Sequence, residues 1–205
     1  MNKISLDKMV WTRLPKSYTI KENSLVVETN PFTDLWQRTY YKFRNDNAPV
    51  FQMDSSEPRF SFLVKVSFSK LNRYDQSGVV VYINSDNWIK ASIEGENQNI
   101  NHLGCVVTNN GYSDWSTQEI GSNVQTIWFR LSRRESDFKI EYSLDNVYFS
   151  QLRICHLFNV QDKISFGVYA CSPEDNTTTC EFTNFEMLPC VWLDHDGQQP
   201  DKDLL

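Results

Sequence analysis

Period two dominates the middle of this chain. Between residues 60 and 68, Phe60, Phe62, Val64, Val66 and Phe68 alternate with Ser61, Leu63, Lys65 and Ser67. Successive side chains of a β-strand point to opposite faces, so five large apolar groups fall on one side of such a strand and need a core to face. Runs of the same kind recur at residues 78–84, 87–94, 105–109, 126–134, 138–143, 148–155, 163–170 and 180–188. Short turns rich in Asn and Asp separate them, among them Asn84-Ser85-Asp86, residues 97–101, Asn109-Asn110-Gly111, Asp145-Asn146 and residues 173–176. No stretch keeps apolar residues at helical spacing through three turns, and no helix-length segment lies between strands. That disfavours βαβ architectures and the nucleotide sites they carry. Many strands joined by short turns predict an all-β, two-sheet antiparallel sandwich.

The first fifty residues are less regular. Residues 25–29 and 49–53 read as strands, whereas residues 31–47 read as a connection containing Trp36, Tyr40, Tyr41 and Phe43. Such a segment is too aromatic for a plain solvent loop, and we expect it to pack over one sheet. Residues 194–205 are polar and acidic and predict a frayed tail. Neither an internal repeat nor a linker divides the chain, so residues 1–193 are expected to form one domain.

Charge and hydropathy exclude several partners. The longest unbroken apolar run is Val79 to Ile83, far short of the roughly 20 residues a helix needs to cross a bilayer, so no membrane partner is expected. Against 26 Asp and Glu stand 20 Lys and Arg, a net charge of -6 that repels polyanions. Arg130, Arg133 and Arg134 come nearest to a basic patch, but Glu135 and Asp137 adjoin them, so nucleic acid is not an expected partner. Residues 1–14 carry Asp7, Lys8 and Arg13 and do not read as a secretory signal; a cytoplasmic location is the expectation. The cysteines, Cys105, Cys155, Cys171, Cys180 and Cys190, are odd in number and form no C-x-x-C pair, so they read as reduced and mostly buried. Cys171 and Cys180 flank a turn-rich segment, and a bridge between them stays open.

Chemistry concentrates on residues 87–94. Ile89, Ala91 and Ile93 point one way and Trp88, Lys90, Ser92 and Glu94 the other, which puts an indole, an ammonium and a carboxylate in one outward row. The preceding strand offers Val80 and Tyr82, and residues 126–134 separate Trp128, Arg130 and Ser132 from Ile127, Phe129 and Leu131. If these rows share one sheet surface, they form an aromatic floor with charged hydrogen-bonding groups. Such a floor suits a polyhydroxylated ligand, whose ring face stacks on Trp or Tyr while its hydroxyls take charge-assisted bonds. The same pattern also fits long amphipathic side chains that shield a solvent-facing sheet.

Enzyme chemistry finds no comparable anchor. Glu94 and Glu96 on one strand face would stand about 7 Å apart, near the spacing of a glycosidase pair. Gly95 and an Asn-rich turn end the strand there, however, which makes Glu96 a solvated turn residue. His102, His156 and His195 are too sparse, even with the cysteines, to ligate zinc. Asp194-His195-Asp196-Gly197 lacks the ligands of an EF-hand loop. No G-x-S-x-G, H-E-x-x-H or G-x-x-x-x-G-K segment occurs. We expect no catalytic residues, no metal and no cofactor.

Four motifs occur in order: Tyr74-Asp75-Gln76-Ser77-Gly78; Asn87-Trp88-Ile89-Lys90 with Glu94 shortly after; Val106-Val107-Thr108-Asn109; and Gly111-Tyr112-Ser113-Asp114-Trp115-Ser116. On these, roughly residues 11–188 resemble the DUF1349 family. Tyr142-Ser143-Leu144-Asp145-Asn146 resembles a turn of the same group, with Asn146 where glycine is more usual. Asn tolerates positive φ, so the departure leaves the turn intact. The resemblance implies a concanavalin A-like lectin/glucanase fold, a jelly roll with one concave face. By analogy with a fungal member of the group, it also implies a regulatory role in sugar metabolism. Fold alone does not fix function. The expected ligand-binding site is Tyr74, Asp75, Gln76, Trp88, Lys90, Glu94, Asp114, Trp115 and Arg130, taking a glycan or small sugar without catalysis. A cytosolic protein partner on the same face is the alternative, and a cryptic glycosidase comes third. Asp75 and Asp114 also fit a turn-capping role. Gly78 reads as a close-approach position at the start of a strand.

Overall fold

A computed structural model of the chain describes residues 2–195 and 197. The expected frayed tail, residues 194–205, falls for the most part outside the described residues. In chain order the first strands are β1 (Asn2–Lys3), β2 (Val10–Trp11), β3 (Ser17–Lys21), β4 (Ser24–Glu28), β5 (Leu35–Gln37) and β6 (Arg44–Asp46). They are followed by β7 (Val50–Ser55), β8 (Arg59–Phe68), β9 (Gln76–Asn84), β10 (Asn87–Gly95), β11 (Ile100–Asn109) and β12 (Tyr112–Gly121). The last are β13 (Thr126–Arg134), β14 (Asp137–Ser143), β15 (Ser150–His156), β16 (Ile164–Cys171) and β17 (Thr179–Pro189).

The architecture is the two-sheet antiparallel sandwich that the alternation predicts. One sheet runs β15-β14-β13-β8-β17-β4-β3, with β1 added beside β17. The other runs β12-β11-β10-β9-β16-β7-β2, and β5 and β6 form a separate hairpin. The apolar face of β8 meets the second sheet as its pattern requires. Phe60 and Phe62 put their rings 4.6 and 5.2 Å from that of Phe166 on β16. Val64, Val66, Phe129, Ile140, Val79, Val81, Ile89, Ile93, Leu103 and Val168 complete a single continuous core between the sheets. At Gly78 an added Cβ would fall on the backbone carbonyl of Ala91, so the close approach expected there is real. Asn146 takes the left-handed conformation, at φ 60°, that its place in the turn requires.

Two departures from the sequence reading matter for function. The sequence offers no strand at residues 112–121, yet β12 is ten residues long and pairs with β11 throughout. It is an edge strand whose outer residues are largely exposed, so burial imposes no apolar alternation on it. The aromatic connection does pack over a sheet, and it does so more completely than its composition indicates. A second apolar cluster, Leu35, Ala48, Val50, Val80, Trp88, Val106, Tyr169 and Cys171, lies on the outer face of the second sheet. All nine residues of β10 are buried as a result, including the row expected to face solvent.

Candidate functional site

Between the β5–β6 hairpin and the outer face of the second sheet lies a cavity of about 980 Å³. Register explains its floor. Gln76 on β9 stands opposite Glu94 on β10, Lys90 stands opposite Val106 on β11, and Val106 stands opposite Trp115 on β12. These side chains share the face of the sheet that points away from the sandwich core. Asp34, Trp36, Thr39, Tyr40, Tyr41, Phe43 and Asn45 form the roof, and Tyr74, Pro173 and Glu174 complete the lining. Polar contacts seat the roof on the sheet. The Gln37 amide donates to Ser113 Oγ (2.9 Å), Gln37 Nε2 to the Ser85 carbonyl (2.7 Å) and Arg38 Nη1 to the Gly111 carbonyl (2.8 Å). Arg38, Tyr40 and Lys42 all adopt positive φ, so the chain reverses sharply above the cavity.

Lys90 is the centre of the polar floor. Its ammonium donates to Asp34 Oδ1 at 3.0 Å and to Gln76 Oε1 at 2.8 Å, and it lies 5.8 and 5.6 Å from the ring centroids of Trp88 and Tyr169. The Tyr169 hydroxyl donates to the same Gln76 oxygen at 3.1 Å. Burial works against the Lys90 ammonium, but the charge and hydrogen bond of Asp34, with a smaller contribution from Glu94, act together to hold the group above the ordinary lysine range. Glu94 is in the opposite position. Burial pushes its carboxyl up to about 7 against the pull of Lys90, and Asp34 and Glu96 push the same way as burial. Its Oε1 is buried without a hydrogen-bond partner among the described residues.

Six of the nine expected site residues line this cavity: Tyr74, Gln76, Lys90, Glu94, Asp114 and Trp115. Trp88 is on the expected face but fully buried beneath the hairpin, where its Nε1 donates to the Ser85 carbonyl at 3.2 Å. Asp75 is buried in the turn before β9, where its Oδ2 accepts from the Asn72 amide (2.8 Å) and Nδ2 (2.9 Å). Its carboxyl is raised by burial, against those bonds from Asn72. Arg130 stands on β13 in the other sheet, paired with Glu141 at 2.8 Å and set over the Phe149 ring. The expectation that its row shares a surface with Trp88 therefore fails: the two strands belong to different sheets, which the period of each strand alone does not reveal. Asp114 stands opposite core residue Val107, and its carboxylate is held by Arg153 of β15 at 2.8 Å, so it ties the two sheets together at their edge. Glu96 follows the end of β10 and pairs with Arg73 at 3.7 Å, so no carboxylate pair faces the cavity from that strand.

Asp34, Trp36 and Tyr169 are site residues that sequence reasoning missed. Trp36 meets Trp115 edge-on at 6.2 Å between centroids, one ring from the roof and one from the floor. The signal for Trp36 was the aromatic excess of its segment; Asp34 has none, because its partner lies 56 residues away. Among the described residues no group of three or more His, Cys, Asp or Glu side chains is placed to hold a metal. All five cysteines are free thiols. Cys171 and Cys180 sit on β16 and β17, in different sheets, and burial pushes the Cys180 thiol up to about 12.

Comparison with known proteins agrees with this fold. Residues 11–190 match the model of the family described as "Protein of unknown function (DUF1349)". The chain is similar to "Regulation of enolase protein 1" of Saccharomyces cerevisiae, at 30% identity over 182 residues that cover 89% of this chain and 90% of that protein. A crystal structure of a functionally unknown protein from the same yeast matches with a TM-score of 0.84 at 29% identity, over 92% of this chain and 100% of that one. The GH43 BlXynB protein from Bacillus licheniformis matches with a TM-score of 0.69 at 14% identity, over 89% of this chain and 37% of that one, a likeness of fold alone. No helix among the described residues is long and apolar enough to cross a membrane.

Proposed function

Because the chain belongs to the DUF1349 family, whose description assigns no activity, we propose from the site itself that the protein binds a saccharide without transforming it. The observation that carries this reading is the pairing of Trp36 and Trp115 above the buried Lys90–Gln76–Glu94 floor. A pyranose has an apolar face that an indole can cover and hydroxyls that need directed partners. The cavity, at about 980 Å³, has room for more than one sugar ring. Catalysis is not part of the reading, because hydrolysis of a glycoside needs two carboxyl groups set across the bond. Of the lining carboxyls, Asp34 and Asp114 are held in ion pairs and Glu174 is solvent-exposed, which leaves Glu94 alone on the buried floor. Asp34 is held by Lys90 and by its own neighbour, the Leu35 amide at 2.7 Å. A cytoplasmic setting suits the five reduced thiols.

A glycan array followed by calorimetry tests the reading. We expect a saturable glycan whose affinity falls at least about tenfold in Trp115→Ala. An array with no saturable ligand, or an affinity indifferent to Trp115→Ala, overturns it.

A second reading draws on the hairpin tip. Tyr40 is 91% exposed, and Tyr41 and Phe43 stack beside it with centroids 5.5 Å apart. Tyrosine clusters of this kind anchor protein interfaces, and the name of the yeast relative points to a metabolic enzyme as partner. Co-purification with enolase, lost in Tyr40→Ser/Tyr41→Ser and kept in Trp115→Ala, favours this reading over the first.

A further inference from the structure

We infer that the guest carries a protonated amine beside its hydroxyls, which makes amino sugars the favoured saccharide class. The inference rests on the saccharide reading and adds charge to it. The cation already present in the cavity is spent: Lys90 is matched by Asp34 at 3.0 Å and saturated further by Gln76 at 2.8 Å. Asp114 is likewise matched by Arg153. Of the charged groups on the lining, Glu94 and Glu174 are then left without an ion pair among the described residues.

Glu94 is the more telling of the two. The residue is only 6% exposed, it faces the cavity, and its Oε1 lacks a donor. An ammonium group in the cavity beside this carboxyl supplies the charge that favours its ionised form, and charge-assisted bonds are about twice as strong as neutral ones. A hydroxyl offers the bond without the charge. The indoles of Trp36 and Trp115 line the same space, and an indole attracts a cation through its face; the Tyr74 ring already carries the Arg73 guanidinium, 4.6 Å from its centroid. Lys90 opposes a second positive charge, and Asp34, 3.0 Å from it, offsets part of that field. Across the strands Glu94 meets Gln76 and His102, neither of which supplies a competing ion pair.

Calorimetry on the full chain at about 0.15 M salt, with the deacetylated β-1,4-linked glucosamine disaccharide and its di-N-acetylated form as probes, separates the outcomes. In the wild type the amine form should bind about tenfold or more tighter than the acetylated form; in Glu94→Gln that preference should shrink below about threefold. Equal binding of the two probes by the wild type overturns the amine inference and leaves the saccharide reading standing. A preference that survives in Glu94→Gln also overturns it, because it then reflects only the acidic net charge of the protein. No binding of either disaccharide, with no neutral glycan bound on the array, overturns both. Unchanged thermal unfolding of Glu94→Gln at acidic pH verifies that the variant is folded.

Discussion

Lys90 Nζ lies 3.0 Å from Asp34 Oδ1, and through this pair strand β10 is fastened to the segment that roofs its own cavity. The two side chains are 5% and 14% exposed, so the pair is buried at one end and reaches the cavity wall at the other. A charge withdrawn from water this far must be paired, and here the pairing also sets where the hairpin sits. Floor and roof are thus one electrostatic unit rather than a sheet with a loose loop above it.

Breaking that unit from one side should therefore be costly. Lys90→Met leaves Asp34 with its backbone bond from Leu35 and a partial view of water, so we expect a loss of about 2–3 kcal/mol, somewhat below that of a fully buried pair. Lys90→Met/Asp34→Asn should recover much of the loss, because the stranded charge is gone. Urea unfolding of the two variants beside the wild type measures this. A single Lys90→Met variant within about 0.5 kcal/mol of wild type would show that the pair does not anchor the roof.

The two tryptophans of the expected site should behave in opposite ways. Trp88 is fully buried in the cluster under the hairpin, so Trp88→Ala should cost about 3–5 kcal/mol. Trp115 is 47% exposed, so Trp115→Ala should stay within about 1 kcal/mol while removing a cavity wall. Thermal melts of both variants decide the matter; comparable losses would mean that Trp115 is structural.

How much of this was legible follows from what periodicity can encode. The face assignment of Trp88, Lys90, Ser92 and Glu94 is a strand property, and it holds residue by residue. Which sheet a strand joins is not local: Arg130 alternates as cleanly as Lys90, yet β13 pairs with β8 and β14 and never meets β10. Whether a face is wet is not local either. Only the roofing by Leu35, Trp36 and their neighbours turns the row from surface to cavity floor. Asp34 was invisible because a carboxylate in a loop has no signature until its lysine arrives from another part of the chain.

Gly78 bears directly on the floor, since it sits between Gln76 and Val80 on β9 and pairs with Ser92. A methyl group there meets the Ala91 carbonyl and the Ser92 Cα, both backbone, which cannot step aside as a flexible side chain does. We expect Gly78→Ala to destabilise by about 3 kcal/mol or more, the upper range for overpacking. Chemical denaturation checks it; a variant as stable as wild type would mean that β9 and β10 have slack at this register.

Glu94 should make the protein less stable as pH rises from acidic to neutral, the reverse of the usual carboxylate. Its carboxyl moves from an ordinary value of 4.5 to about 7 on folding, so between those values the folded state holds a proton that the unfolded chain has released. The folded state binds more protons, and stability falls as pH climbs through that window. At about 1.4 kcal/mol per pH unit, the rise of about 2.5 units corresponds to roughly 3 kcal/mol, fully expressed above pH 7. Asp75, raised by burial, acts in the same direction, whereas Glu28, Asp54, Glu141 and Asp145 lie below their ordinary values and act in the opposite one. The informative quantity is consequently the difference from Glu94→Gln, in which Lys90, Asp34 and Glu96 still exert their fields on this position and His102 still stands opposite it. Urea melts at pH 5 and pH 8 should show Glu94→Gln gaining about 2–3 kcal/mol on the wild type between the two, and parallel pH profiles would mean that Glu94 ionises in the folded protein as freely as it does in water.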